Sequence, residues 1–304
     1  MVVMAGNACT PDMALQRDAC AGPRRQDPIG VFDSGVGGLS VLQALQEELP
    51  RERFVYLADS GHAPYGERGD AYVSDRTHAI VQYLRLHHHV KALVVACNTA
   101  TAAAIHELRA ACPDLPLVGI EPALKPASRE SRTGRIGVMA TRGTVSSQKF
   151  QALLQSLQGV AHFEVQACDG LAHAIEREAA VSASPGNADS PEVEALCAHY
   201  LQALGPLGPE PGGLDTLVLG CTHYVFARPI LSRLAGPAVR LMDTGHPVAR
   251  QTARLLTESQ LLTDADGAST GSVQLLTTGS LADLQNVARH WLGLPAECCH
   301  AVTI

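Results

Sequence analysis

Short apolar runs alternate along the chain with longer segments in which apolar residues recur at helical spacing. The runs are rich in Val, Ile and Leu, which is typical of buried parallel strands. We predict strands at 29–32, 54–59, 93–95, 117–120, 161–166 and 273–277, and further strands beginning near 135, 215 and 241. We predict helices at 39–49, 72–86, 100–112, 145–157, 192–204, 246–258 and 281–292, and another around 176. This alternation predicts an α/β fold.

The pattern restarts near the middle of the chain. The stretch Arg135-Ile-Gly-Val-Met-Ala-Thr echoes the earlier stretch Ile29-Gly-Val-Phe-Asp-Ser, and a Pro-bearing segment at 121–126 separates the two halves. We therefore predict two similar α/β domains that face one another. The predicted first domain comprises residues 28–122 plus 240–304, and the second comprises 123–239. Residues 1–27 are predicted to be a disordered extension.

A cysteine follows a predicted strand in each half. Cys97 stands between the apolar run 93–95 and an Ala-rich helix, with Asn98 and Thr99 beside it. Cys221 follows the run Thr-Leu-Val-Leu-Gly and is followed by Thr222 and His223. Ligand crevices of α/β sheets lie at such strand ends, and a helix N-terminus favours a thiolate. A buried structural cysteine is the alternative for Cys97 alone. The repetition indicates one thiol on each side of a cleft.

The glycine-rich loop Asp33-Ser-Gly-Val-Gly-Gly also joins a strand to a helix. It does not complete G-x-G-x-x-G, because Ser40 stands at the third glycine position, so a nucleotide site is disfavoured. A small-anion site at the helix start is the alternative. Asp33 itself would handle a proton or an ammonium group, or would only cap the helix.

Composition narrows the classes of function. The net charge is −7 with no basic run, which disfavours nucleic acid as a partner. No apolar run approaches the roughly 20 residues of a membrane span, and residues 1–27 lack the apolar region of a secretory signal. The nine cysteines are widely spaced without C-x-x-C, which indicates a reducing, cytoplasmic compartment.

We expect neither a metal nor an organic cofactor. The run His87-His-His is the only candidate metal motif, but consecutive side chains point in different directions and could serve the helix end instead. Lysine occurs only at positions 91, 125 and 149, so a Schiff-base cofactor would have few attachment points.

Two thiols facing one cleft suggest proton removal from a carbon on one side and proton return on the other. Such chemistry inverts a stereocentre, and a thiol with an ordinary pKa of about 8.5 suits it. Asp33 would assist one cysteine in proton transfer, and His223 would assist the other.

The chain resembles the aspartate/glutamate racemase family from about 29 to 294. The resemblance rests on Asp33-Ser-Gly-Val-Gly-Gly, Pro64-Tyr-Gly, Ala96-Cys-Asn-Thr-Ala, Gly220-Cys-Thr-His-Tyr and Asp243-Thr-Gly. It implies two α/β domains related by pseudo-twofold symmetry, an active site between them and cofactor-independent interconversion of L- and D-glutamate for peptidoglycan synthesis. The expected partners are a small amino acid and, in a homodimer, a second copy of the chain.

The resemblance also implies residue roles. Cys97 would be the base for D-glutamate and Cys221 the base for L-glutamate, with Asp33, His223 and Glu176 assisting. The implied substrate-binding residues are Asp33, Ser34, Tyr65, Gly66, Asn98, Thr99, Thr222 and His223.

The chain departs from the family pattern in two places. Val225 replaces the usual Pro, and the unusual segment 167–176 weakens the assignment of Glu176. The alternatives are an aspartate racemase, a hydantoin racemase and a non-catalytic amino-acid-binding protein. The Gly-Cys-Thr-His form, with Asp33-Ser34 and Pro64-Tyr-Gly, favours glutamate.

Overall fold

The computed structural model describes residues 22–181, 190–263 and 271–304. Within these ranges the strands are β1 Ile29–Asp33, β2 Phe54–Ala58, β3 Ala92–Val95, β4 Leu117–Gly119, β5 Arg135–Ala140, β6 His162–Ala167, β7 Thr216–Leu219, β8 Arg240–Met242, β9 Val273–Thr277 and β10 Cys299–Ala301. The helices are α1 Leu39–Glu48, α2 Asp70–His88, α3 Asn98–Ala111, α4 Leu124–Glu130, α5 Arg142–Ser146, α6 Gln148–Gln155, α7 Leu171–Val181, α8 Pro191–Leu204, α9 Arg228–Ala235, α10 Gly245–Glu258 and α11 Leu281–Leu292. Short 3-10 turns include Ser60–His62, Tyr65–Glu67 and Thr222–Ala227.

In the described parts of the chain the strands form two parallel sheets, ordered β10-β9-β2-β1-β3-β4 and β6-β5-β7-β8. We call the part built on the first sheet the first lobe and the part built on the second sheet the second lobe. The order β2-β1-β3-β4 in the first lobe recurs as β6-β5-β7-β8 in the second. The predicted fold class of two α/β domains with parallel sheets is confirmed.

Apolar layers cover both faces of each sheet. In the first lobe, the side chains of α1, α10 and α11 pack on one face, and those of α2 and α3 pack on the other. In the second lobe, α7, α8 and α9 cover one face, and α4 and α6 lie against the opposite one. Strands β1, β2, β3 and β7 are buried throughout, and their sequences are therefore almost continuously apolar. The strand ends are left as the place where polar side chains gather.

The two lobes meet along a seam of helices. Helix α7 of the second lobe packs against α11 of the first lobe. At the same seam Phe226, in the turn after β7, stacks on Trp291 of α11 with ring centroids 3.5 Å apart and an interplanar angle of 8°. Stacked aromatic rings bury large apolar areas, so this contact ties the turn after β7 to the first lobe.

The predicted helix 145–157 is interrupted. Helix α5 starts earlier, with Thr141 as its N-cap, and ends before Ser147. Ser147 adopts extended backbone, and its hydroxyl accepts a hydrogen bond from Phe150 N, which starts α6. A serine that can cap a new helix competes with continuation of the old one. This local competition explains the difference from the prediction.

Two segments differ from the predicted domain organisation. Strand β8 pairs with β7, so residues 240–242 belong to the second sheet and not to the first domain. Residues 22–27 fall in the predicted disordered extension, but Asp27 is buried and Arg25 O accepts a hydrogen bond from Thr263 Oγ1. Hydrogen bonding of its backbone orders this segment. Residues 1–21 of the predicted extension lie outside the described residues.

None of the helices in the described ranges is both long enough and apolar enough to span a bilayer.

Candidate active site

The carboxyl ends of the central strands of both sheets open onto one cavity of about 990 Å³. In each sheet the strand order reverses at this point, between β1 and β3 and between β5 and β7, which is where open α/β sheets bind ligands. All the predicted site residues line this cavity: Asp33, Ser34, Tyr65, Gly66, Cys97, Asn98, Thr99, Glu176, Cys221, Thr222 and His223. Residues that are far apart in the sequence therefore lie together in one cleft.

Cys97 sits at the end of β3 and caps α3. Its Sγ accepts a hydrogen bond from Ala100 N at 3.4 Å and donates one to Ser34 Oγ at 3.5 Å. Burial, together with the nearby carboxylate of Asp33, raises the pKa of the Cys97 thiol to about 12. In the free protein at neutral pH, Cys97 is therefore a thiol that can give a proton.

Asp33 ends the neighbouring strand β1 and is almost fully buried. Its carboxylate accepts hydrogen bonds from the backbone N–H groups of Ser34 and Gly38. Burial raises the pKa of Asp33, and the charge of His223 and these N–H donors offset the effect only in part. The group is thus placed to exchange a proton near Cys97.

On the second lobe, Cys221, His223 and Glu176 form a chain of contacts. Cys221 Sγ lies 3.7 Å from His223 Nδ1, and His223 Nε2 lies 3.3 Å from Glu176 Oε2. The contact with Glu176 is an ion pair without good hydrogen-bond alignment, since His223 Nε2 has no hydrogen-bond partner by geometry. This is the arrangement in which a thiol, a base and an orienting group act together.

The electrostatics of this chain favour an imidazolium. Burial lowers the pKa of His223, but Cys221 and Glu176 outweigh burial and hold that pKa well above its ordinary value. Burial raises the pKa of Glu176, and His223 reverses this so that the carboxyl pKa lies below its ordinary value. A positive charge beside a sulfur stabilises its thiolate form. The two sides of the cavity therefore differ, with an acidic neighbour at Cys97 and a cationic neighbour at Cys221.

Polar contacts cross the cleft between the lobes. Thr222 Oγ1 lies 3.3 Å from Asp33 Oδ2, and Ser40 Oγ donates to the Thr222 carbonyl at 3.1 Å. Gly37 packs so closely on the ring of His223 that a Cβ there would overlap it. These contacts explain why the loop after β1 is rich in glycine, since the two strand ends approach through it.

Tyr65 and Gly66 reach the cavity from the loop after β2. Tyr65 is buried, and its hydroxyl donates to Asp59 Oδ2 at 2.6 Å. Burial and the adjacent Asp59 raise the pKa of Tyr65. Gly66 packs against Gly143 of the second lobe, where a Cβ would lie 2.9 Å from the Gly66 Cα.

Three residues that were not predicted from the sequence belong to this region: Cys168 lines the cavity, and Tyr56 and Asp59 lie behind its wall. Cys168 follows β6 and lines the cavity, while Tyr56 donates its hydroxyl hydrogen to Gly35 O at 2.7 Å and holds the loop after β1. Asp59 follows β2 directly. Position immediately after a strand, which singled out Asp33 and Cys97, could have found Asp59 and Cys168. No sequence signal marks Tyr56, which lies inside a buried strand.

In the part of the chain that the structure describes, no three His, Cys, Asp or Glu side chains are grouped closely enough to hold a metal ion. The histidines at 87–89 lie where α2 ends, away from the cavity. None of the lysines at 91, 125 and 149 lines the cavity.

Comparison with known proteins agrees with this geometry. A sequence model of the family described as Asp/Glu/Hydantoin racemase matches residues 29–252, and the chain belongs to that family. Its members are racemases, which are isomerases.

Individual relatives are described as glutamate racemases. Glutamate racemase from Pseudomonas entomophila is 48% identical over 81% of this chain and 88% of its own. The crystal structure of the glutamate racemase isoform RacE1 from Bacillus anthracis matches with a TM-score of 0.78 at 29% identity, over 92% of this chain and 99% of that one. Escherichia coli glutamate racemase, solved in complex with L-glutamate and activator UDP-MurNAc-ala, matches with a TM-score of 0.73 at 30% identity, over 87% and 93% of the two chains.

Proposed function

We propose that this protein interconverts L- and D-glutamate by direct proton transfer at the α-carbon, with one thiol on each side of the substrate. The observation that carries the proposal is that Cys97 of the first lobe and Cys221 of the second line the same cavity. The glutamate racemase relatives support glutamate as the substrate.

In the L-to-D direction, Cys221 takes the α-proton as a thiolate. His223 stabilises that thiolate by its charge, and Glu176 holds the imidazolium in place. The electron pair left at the α-carbon takes a proton from the Cys97 thiol. One S–H bond forms at Cys221 and one breaks at Cys97, so the proton count of the site is unchanged.

In the D-to-L direction the roles reverse, and Cys97 must first lose its proton. Its raised pKa opposes this in the free protein. The substrate ammonium group brings a positive charge into the cavity, which favours the Cys97 thiolate and compensates for Asp33. Ser34, Asn98, Thr99, Thr222, Tyr65 and Gly66 would bind the two carboxylates and the ammonium group.

The experiment is to incubate the purified protein with each amino acid in D₂O. Racemisation is monitored as loss of optical rotation and as incorporation of deuterium at the α-carbon. We expect both with L-glutamate and with D-glutamate, and neither with L-aspartate or a hydantoin. Turnover of one of those compounds instead would identify the alternative racemase. Saturable binding without exchange would indicate an amino-acid-binding protein.

The proposed reaction needs no metal ion and no organic cofactor. Activity should survive dialysis against a chelator and treatment with a carbonyl reagent, because no lysine lines the cavity and Cys97 and Cys221 supply both proton carriers. Restoration of lost activity by Zn²⁺ or pyridoxal phosphate would contradict it.

The same proposal gives the protein a cytoplasmic role in supplying D-glutamate for peptidoglycan, as a homodimer. Expression of the chain should rescue a bacterium that requires external D-glutamate. Light scattering of the purified protein tests the dimer.

A further inference from the structure

A second buried carboxylate lies beside Asp33 at the strand ends. Asp59 directly follows β2, its side chain is fully buried, and its backbone N–H donates to Asp33 O at 2.9 Å. Asp59 does not line the cavity. A buried carboxylate is costly unless it is paired and hydrogen-bonded, so its partners indicate what it does.

Arg76 of α2 is the charged partner of Asp59. Its Nη2 donates to Asp59 Oδ1 at 2.7 Å and its Nε donates to Oδ2 at 3.1 Å, which is a two-point contact. The side chain of Arg76 is only 13% exposed. Burial raises the pKa of Asp59, but Arg76 and the other donors reverse this and keep the carboxyl ionised. The planar guanidinium fixes the direction in which both carboxylate oxygens point.

The remaining side-chain contacts of Asp59 come from the loop after β2, which reaches the cavity, and from Thr278 directly after β9. Tyr65 Oη donates to Oδ2 at 2.6 Å, and Thr278 Oγ1 donates to Oδ1 at 2.8 Å. His62 Nδ1 lies 3.1 Å from Oδ1. The hydroxyl of Tyr65 is therefore anchored by Asp59, which lies outside the cavity, while Tyr65 and Gly66 themselves line it.

We propose that Asp59 and Arg76 are positioning residues for the reaction, acting through the Tyr65 hydroxyl to set the position of residues 65–66 in the wall of the cavity. The inference rests on the proposed function, in which Tyr65 and Gly66 bind the substrate. Gly66 also contacts Gly143 of the second lobe, so the same anchor fixes the distance between the loop and the opposite lobe.

The kinetic signature follows from where the loop acts. Residues 65–66 bind the substrate but exchange no proton, so their contacts are the same in the bound state and in the transition state. Loss of such uniform binding raises KM and leaves kcat nearly unchanged. Loss of a proton-transfer group would lower kcat instead.

The test compares Arg76→Lys and Tyr65→Phe with Arg85→Lys. Arg85 lies on the same helix and pairs with Asp114, but both side chains are partly exposed. We expect KM for L-glutamate to rise ~10-fold or more in Arg76→Lys, because a point charge cannot replace the two-point contact. Tyr65→Phe should give a smaller rise of the same kind, with kcat within ~2-fold for both. Arg85→Lys should match the unsubstituted protein.

Each outcome decides between the roles. A lower melting temperature with unchanged KM would show that the Asp59–Arg76 pair only stabilises the fold. If Arg76→Lys does not fold, Tyr65→Phe carries the test, and an unchanged KM in that variant overturns the inference. Absence of glutamate racemisation in the unsubstituted protein would reject the proposed function, which is a separate result.

Discussion

Asn98 Nδ2 donates a hydrogen bond to the carbonyl oxygen of Gly220 at a distance of 3.1 Å. Asn98 directly follows Cys97, and Gly220 directly precedes Cys221. A single side-chain contact across the cleft thus connects the two strand ends that carry the thiols. The other amide atom, Asn98 Oδ1, is buried without a hydrogen-bond partner, and the residue lines the cavity.

Replacement of Asn98 tests this connection. Asn98→Asp keeps the size and the acceptor oxygen but removes the donor and places a negative charge against the Gly220 carbonyl. A single hydrogen bond contributes roughly 0.5–1.5 kcal/mol, so we expect its loss to lower kcat/KM for glutamate by about 2- to 10-fold, and the repulsion between the new charge and the carbonyl to add to that loss. Polarimetric assays in both directions provide the measurement. An Asn98→Asp protein with the activity of the unsubstituted chain would show that the contact has no part in the reaction.

The division of labour between the cysteines can be separated by elimination. Replacing Cys97 or Cys221 with serine should reduce racemisation by ~10²–10⁴-fold, because serine is a far weaker base at neutral pH. A glutamate with fluorine or chlorine at the β-carbon loses HX after one proton removal. Cys97→Ser should keep this elimination from the L-enantiomer, and Cys221→Ser should keep it from the D-enantiomer. The measurement is release of halide from each enantiomer.

Equal loss of elimination from both enantiomers in both variants would contradict a two-base reaction. One cysteine would then have a structural role.

The ion pair of His223 and Glu176 predicts a pH-dependent stability. A histidine whose pKa is raised on folding contributes stability below its ordinary pKa of 6.5, and this is lost as pH rises through the folded pKa. Glu176→Gln removes the carboxylate. Its melting temperature should therefore fall furthest below that of the unsubstituted protein between pH 4.5 and 6.5. The difference should shrink at alkaline pH.

Melting scans over this pH range provide the measurement. Glu192→Gln is the matched control, since Glu192 pairs with Arg177 at the surface. A pH-independent difference for Glu176→Gln would mean that the pair does not carry the charge assigned to it.

Another buried ion pair, far from the proposed reaction, predicts a large effect on stability alone. Lys91 Nζ lies 2.6 Å from Glu52 Oε2, and both side chains are almost completely buried. Removing one partner leaves the other charge uncompensated, which costs about 3–5 kcal/mol. We expect Glu52→Gln to lose that much unfolding free energy in urea. Glu258→Gln, which breaks an exposed pair with Arg254, should lose under about 0.5 kcal/mol.

Racemisation by folded Glu52→Gln should be unchanged, since neither Glu52 nor Lys91 lines the cavity. A Glu52→Gln protein with the same midpoint of unfolding in urea as the Glu258→Gln protein would contradict the prediction.

The strand ends of the site were predictable because an apolar run followed by polar residues indicates where a buried strand ends. Cys97 and Cys221 follow runs that are buried along their length, and so their position could be inferred without a structure. The prediction of Glu176 is weaker, because segment 167–176 departs from the family pattern and a helix residue carries no sign of which side chain it faces. Its 3.3 Å contact with His223 depends on how α7 packs across the seam.

Contacts between the lobes could not be predicted for the same reason. The fit of Gly37 to His223 requires two segments far apart in the chain to approach within van der Waals distance. The break at Ser147 and the pairing of β8 with β7 depend on competition between local capping, sheet edges and packing. Hydrophobic periodicity does not distinguish these outcomes.

The stack of Trp291 on Phe226 makes the intrinsic fluorescence of the protein a probe of the seam between the lobes. Trp291 is the single tryptophan of the chain, so intrinsic indole emission originates at the seam between the lobes. Any movement of the turn after β7 relative to α11 changes the surroundings of that one fluorophore. Whether the lobes move when an amino acid binds can therefore be tested in the unlabelled protein by stopped-flow fluorescence.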